Sequence, residues 1–189
     1  MSTHKLETIK FLTLDEIKRL FAVITDKRDR AMFLIAYRHG LRATEVGLLR
    51  TDDVDLKQLR IMCHRLKGSI PGLQPMQPDE VRLLKAYLRA RLDSPILFPS
   101  NRGTPISRRQ LDKLMKQYGE KAKLPKDKQH FHTLKHSIAT HLLDAGDNLR
   151  FVQDWLGHAQ IQNTVIYASL VSSTREAKAR AHFMKLPKF

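Results

Sequence analysis

The chain has few of the residues that would suit it to an oxidising compartment or a bilayer. Its one cysteine, Cys63, cannot close an internal disulfide. No apolar run approaches the roughly 20 residues that span a bilayer. The start, Met1-Ser2-Thr3-His4-Lys5-Leu6-Glu7, lacks the apolar core of a secretory signal, so a cytoplasmic location is expected. Acidic side chains are also scarce, with 19 Asp and Glu against 34 Lys and Arg, a formal charge of +15. A field of that sign attracts polyanions, and cations that neutralise phosphates release counterions, so nucleic acid is the expected partner. There is no glycine-rich nucleotide loop, internal repeat, low-complexity tract or linker-like change in composition. The 189 residues, 42% apolar, read as a single domain over 1–189 that can build its own core.

The pattern that is present predicts a mainly α domain with a small antiparallel β-sheet or hairpin. Thr13-Leu14-Asp15-Glu16 reads as a capping box ahead of Ile17, Leu20, Phe21 and Ile24 at helical spacing. A second helix is expected from about Asp29 to Arg38, turning Met32, Phe33, Ile35, Ala36 and Tyr37 inward and stopping at Gly40. From Gln58 to His64 the period changes to two, with Leu59, Ile61 and Cys63 alternating with Arg60, Met62 and His64 as in a half-buried strand. Lys67 to Gly72 is a turn-rich break and Leu73 to Met76 a return strand. Pro78 suits the first turn of a helix carrying Val81, Leu84, Leu88 and Leu92. Ser107 and Asn148 are placed to cap later helices, and Gly146 breaks the last helical third. Nine basic and three acidic residues lie between Asn101 and His130, a run that reads either as a solvated helix face or as a surface along DNA.

Chemistry-bearing side chains recur in order. Arg42-Ala43-Thr44-Glu45 comes first, then His132-Thr133-Leu134-Lys135-His136, then Leu156-Gly157-His158, and Tyr167 follows nine residues after His158. Transesterification of a phosphodiester needs a nucleophile, charge stabilisation on the non-bridging oxygens and a proton for the departing sugar oxygen. Tyr167 offers a phenol, which nearby cations are expected to hold in its ionised form. Arg42 offers parallel donors that match phosphate geometry, and Glu45, three residues on, shares its helical side and can orient it. His132 and His158 can donate to phosphate oxygens and help manage the phenol proton. His132 and His136 also have a metal-ligand spacing, but no glutamate stands where a zinc hydrolase needs one, so His136 is read as structural or as supporting its neighbours.

Taken in this order, these boxes resemble the catalytic domain of the tyrosine recombinase (phage integrase) family. The resemblance covers residues 42 to 167. It implies a site-specific DNA recombinase that cuts and rejoins strands through a covalent 3′-phosphotyrosine intermediate on Tyr167, with integration, excision or inversion as the outcome. No nucleotide cofactor and no metal is implied. Lys67, on the predicted hairpin, corresponds to the family's general acid for the leaving 5′ oxygen. Lys135 departs from the pattern, standing where the family usually has a second arginine, and gives one compact charge in place of a fork. Three consequences stay open for it: a working enzyme, a slowed one, or a catalytically impaired DNA-binding regulator. A type IB topoisomerase-like enzyme would use nearly the same constellation. By resemblance, partners are double-stranded DNA, further copies of the chain assembling from dimer to tetramer on paired sites, and accessory DNA-bending proteins. Residues 172–189 read either as a tail lent to a neighbouring subunit or as a helix on its own domain. The segment His64-Arg65-Leu66-Lys67 and the start Phe11-Leu12-Thr13 look like the compact fimbrial-switch invertases, and a naturally short protein without an amino-terminal DNA-clamping domain is expected.

Overall fold

The structure, a computed structural model, describes residues 9–66, 68–168, 170, 180 and 184. Helix starts follow local chemistry. In α1 (Leu14–Val23) the Thr13 hydroxyl accepts from the Glu16 N–H at 3.2 Å, and Glu16 accepts from the Thr13 N–H at 2.8 Å. Two amides with no partner inside the helix are thereby satisfied. The next helix, α2 (Lys27–Arg38), starts ahead of the expected Asp29 because Asp26 accepts from the Asp29 N–H at 2.9 Å.

Every residue from Ala31 to Tyr37 is buried, which makes α2 the central helix, covered on all sides and not amphipathic. It packs on α3 (Ala43–Leu48), α4 (Pro78–Leu88) and α6 (Thr133–Ala145). Phe33 meets Phe131 and Tyr118 edge-on, with ring centroids 5.2 and 5.7 Å apart. Pro78 opens α4 as expected. Leu92 does not belong to that helix, which ends at Leu88, and it lies 92% exposed in the segment turning toward Ser94-Pro95, where the residue before proline disfavours helix.

The sheet has three antiparallel strands in the order β1 (Val54–Asp55), β2 (Arg60–Cys63) and β3 (Gly72–Pro75). The two-residue β1 is too short to show a period and was not legible in the pattern. Ile61 and Cys63 are fully buried as expected, but Leu59 is half-exposed at φ 56° in the turn before β2. In β3 the polarity is inverted. Gln74, opposite Ile61, faces inward while Leu73 faces out. The Gln74 amide is satisfied there by His39 Nδ1 at 2.7 Å and by the Trp155 carbonyl at 2.6 Å.

Ser107 caps α5 (Arg108–Lys121), and Asn148 caps α7 (Leu149–Trp155). Gly146, at φ 108°, ends α6, and α8 (Gln162–Ala168) packs on α6 and α7. The fold is mainly α with a small antiparallel sheet. Among the described residues no helix is long and apolar enough to cross a membrane.

Candidate active site

Two glycines let the elements of the site converge. Gly40 ends α2 at φ 57°, and a side chain there would collide with Leu156 Cδ2. Gly157, at φ 67°, follows α7; a Cβ on it would come 2.5 Å from the Ile70 carbonyl oxygen and 3.0 Å from Arg65 Cγ and Nε. Each position combines a left-handed backbone with a neighbour too close for a methyl group, which leaves glycine as the fitting residue. The turn after α2, the end of β2 and the α7–α8 turn therefore pack against one another.

Glu45 is fully buried at the centre. Its carboxylate accepts from the Arg42 backbone N–H and from Arg42 Nη1, both at 2.8 Å, and from Arg65 Nη1 at 3.2 Å. Burial acts to raise its pKa, but the hydrogen bonds from Arg42 and the charges of Lys135 and Arg65 outweigh it and hold the carboxyl below its ordinary value. Arg42 is partly exposed and also donates to Ser69 Oγ at 3.1 Å, so its guanidinium is fixed from behind with one side toward solvent.

Lys135 is 1% exposed and donates to the Leu156 carbonyl at 3.2 Å. Burial first, then the charges of Arg65 and Arg42, lower its pKa to about 7. Three cations thus surround one carboxylate. The imbalance leaves a net positive charge around Glu45, and an anion bound beside Arg42 would favour the charged form of Lys135.

The imidazoles are neutral at pH 7. Burial, with Lys135 and Arg42, lowers His132 to about 4; burial, with His132 and Lys135, lowers His136 to about 3; burial, with Lys135 and Arg42, lowers His158 to about 4. His158 Nδ1 lies 2.9 Å from Thr164 Oγ1 on α8. The imidazole against the Tyr167 phenol is His136, whose Nδ1 is 2.8 Å from the hydroxyl. His132 meets His136 edge-on with ring centroids 4.4 Å apart. The expectation of an ionised phenol is corrected. Tyr167 is 2% exposed, and burial pushes its pKa up to about 12 against the opposing charge of Arg42.

The structure therefore gathers Arg42, Glu45, Lys135, His132, His158 and Tyr167 from α3, α6, α7, α8 and their turns. Lys67 and most of the 172–189 tail lie outside the described residues. Two residues were underread in the sequence. His136 shares the face of α6 that carries His132, and that spacing was its signal. Arg65 continues the inward alternation of Ile61 and Cys63, and a charge on an inward position was the sign that it has buried partners. Among the described residues no three His, Cys, Asp or Glu side chains gather so as to hold a metal ion. Beside Arg42 an open hollow of about 460 Å³ is lined by Thr44, Leu66, Arg108, Asp112, His130 and His132.

Residues 10–173 match the phage integrase family. The chain belongs to that family. Tyrosine recombinase XerA of Thermococcus kodakarensis is 37% identical over 183 residues, covering 93% of this chain and 64% of that relative. Type 1 fimbriae regulatory protein FimB of Escherichia coli K12 is 35% identical over 168 residues, covering 84% of each. The crystal structure of XerA recombinase superposes with a TM-score of 0.81 at 30% identity, covering all of this chain and 68% of that one. This chain thus spans a little under two thirds of the XerA sequence, and the part it shares carries the phage integrase boxes.

Proposed function

We propose that this chain is a site-specific recombinase that cuts double-stranded DNA and rejoins it through a phosphotyrosine on Tyr167. The observation that carries the reading is the Tyr167 hydroxyl, 2.8 Å from His136 Nδ1, beside a cluster in which Arg42, Arg65 and Lys135 surround one carboxylate. A phosphodiester supplies the anion that balances this excess of positive charge. Family membership supports the same reading.

In the proposed reaction a scissile phosphate enters beside Arg42, whose guanidinium takes a non-bridging oxygen. Lys135 supplies the second charge and becomes fully protonated as the phosphate arrives. The Tyr167 oxygen attacks phosphorus, its proton passing to the neutral imidazole of His136, whose Nδ1 is already in hydrogen-bond contact with the hydroxyl. The P–O5′ bond breaks, and the 5′ oxygen takes a proton from Lys67, assigned by resemblance. His132 and His158 donate to the phosphate oxygens. Attack by a partner strand's 5′ hydroxyl on the phosphotyrosine reverses the steps, and the covalent link conserves the bond energy, so no nucleotide is consumed. Burial keeps the Tyr167 phenol protonated in the DNA-free chain, so its proton leaves in the attack step itself. Dimer-to-tetramer assembly on paired sites, with the 172–189 tail exchanged between copies and bending proteins assisting, belongs to the same proposal.

One observation favours a second reading, a DNA-binding regulator with impaired chemistry: Lys135 is a buried point charge engaged with the Leu156 carbonyl. One experiment separates the two. Nicked suicide duplexes drawn from DNA flanking the gene are incubated with the parent and with Tyr167→Phe, and covalent protein-DNA bands are read on a denaturing gel. Recombinase activity requires a band in the parent alone. DNA binding without a band in either chain supports the regulator.

A further inference from the structure

Arg65 is a charged side chain outside the proposed catalytic set, and its own side chain is only 1% exposed. An arginine in that setting is costly to bury unless its donors are satisfied. They are. Nη1 donates to the Gly40 carbonyl at 3.0 Å and to Glu45 Oε2 at 3.2 Å; Nη2 donates to the His39 carbonyl at 2.8 Å and to the Trp155 carbonyl at 2.9 Å. With both Nη groups consumed, this guanidinium does not stand in for the missing second phosphate-clamping arginine.

The four acceptors identify what it does instead. Gly40 and His39 form the turn that leads directly into Arg42. Glu45 holds the Arg42 guanidinium. Trp155 ends α7, immediately before the Leu156 carbonyl that receives Lys135 and the Gly157-His158 turn. Gly157 lies over the Arg65 stem, within 3.0 Å for any added Cβ, and its carbonyl accepts from the Ile70 N–H at 2.9 Å. Arg65 is thus tied to both walls of the site, the segment around Arg42 and the end of α7.

We propose that Arg65 is a positioning residue that fixes the Arg42 wall of the site against the Leu156-Gly157-His158 wall, and that the strand-cleavage reaction depends on it although it never touches DNA. This rests on the recombinase reading. A lysine in its place reaches at most part of the acceptor set, because the span is bridged by the two arms of a planar fork. Arg65 is also the first of the neighbouring charges that lower Lys135, so its loss moves the Lys135 titration upward.

The test compares the parent, Arg65→Met and Arg65→Lys in three measurements: covalent adduct rate on a suicide duplex from pH 6 to 9, DNA affinity, and amide hydrogen exchange at Ile70, Gly157 and His158. The proposal expects Arg65→Met to bind DNA within about threefold of the parent while forming adduct at least tenfold more slowly. Its pH profile should shift upward, and the three amides should exchange at least tenfold faster than they do in the parent while those of α2 keep the parent rate. Arg65→Lys should recover part of the rate; if Arg65→Met does not fold, Arg65→Lys is judged by the same criteria against the parent. An adduct rate equal to the parent's overturns the proposal, as does a loss matched by an equal loss of DNA binding. If the parent itself forms no adduct, the recombinase reading fails separately. The exchange measurement then decides the positioning of the two walls, which stands if the three amides are deprotected and falls if they are not.

Discussion

Two regions of this molecule are equally buried and opposite in character. Along α2, Ala31 to Tyr37 is a run of mostly apolar side chains locked by the Phe33–Phe131 and Phe33–Tyr118 contacts. A few ångströms beyond its last turn the buried groups are His39, Glu45, Arg65, Gln74, Glu80 and Lys135. Removing the first set from water is favourable by about 25 cal/mol per Å² of apolar surface. Removing the second is unfavourable unless every donor and charge finds a partner, and the pKa shifts record how far each succeeds. Glu45 is held below its ordinary value, and His39 is raised to about 9, burial opposing while the nearby Cys63 and the Glu80 carboxylate, 2.8 Å from its Nε2, raise it. Lys135 and the three site histidines are lowered, because burial and surrounding cations act on them in the same direction. Depth in the fold therefore says little about stability; the sign depends on what each group meets there.

The largest effect expected from breaking this contrast is on the apolar side. Phe33→Ala should lose about 3–5 kcal/mol, the usual range for emptying a packed aromatic site. Urea unfolding measures it, and adduct yield per folded molecule should be unchanged. A loss under about 1 kcal/mol would mean that Phe33 does not anchor the core.

On the polar side the sign reverses. Unfolded, a lysine takes up its proton below about 10.5; folded, Lys135 does so only below about 7. Between those values the unfolded chain binds the extra proton, so the stability withheld at neutral pH returns as pH rises toward 10.5. Lys135→Met should thus be more stable than the parent at pH 7, by roughly 1–4 kcal/mol less the cost of leaving the Leu156 carbonyl unpaired. The gain should shrink toward pH 10, and covalent adducts should vanish. A variant less stable than the parent at pH 7 would show that Lys135 is stabilised where it sits.

The same contrast governs what could be read from the sequence. Thr13, Ser107 and Asn148 announce helix starts through bonds closed within three residues, Pro78 does so through its fixed φ and missing N–H, and the structure has each in place. The period of two found β2 because its alternation of outward and inward side chains lies within the strand itself. Leu59 and Leu92 were misassigned because apolar character continued past the backbone turn that ended the element. The order of the boxes made most of the candidate site visible, down to Gly40 and Gly157. What was not legible depends on partners far along the chain. The Trp155 carbonyl that receives Arg65 lies 90 residues downstream, and the bond from His136 to Tyr167 spans 31. No local pattern encodes such pairs.

The histidines provide a smaller test. Their unfolded value is near 6.5, and folded they resist protonation down to about 3–4. As pH falls from 6.5 the unfolded chain takes up protons that the native chain refuses, so stability declines through that window and levels off below it. Each group contributes at most about 1.4 kcal/mol per pH unit, less where solvent reaches it. His136→Phe should flatten the decline measurably in thermal melts between pH 6.5 and 4, and an unaltered slope would show that His136 titrates normally.

The smallest effect sharpens the comparison from a third side, the surface. The Thr13 hydroxyl satisfies one amide of α1 with no charge and little burial involved. Thr13→Ala should cost about 1 kcal/mol, the usual value of a cap. Its partner bond, Glu16 to the Thr13 N–H, survives the substitution, and Glu16 stays paired with Lys128 at 2.7 Å, so the loss should not propagate. Melting should shift equally at pH 5 and pH 8, since Glu16, held below its ordinary value against burial by Lys128 and in smaller part by Thr13, stays ionised at both, and adduct formation should match the parent. A pH-dependent shift would mean that Glu16 changes charge within that range, and the coupled polar contacts of the interior would then extend outward to α1.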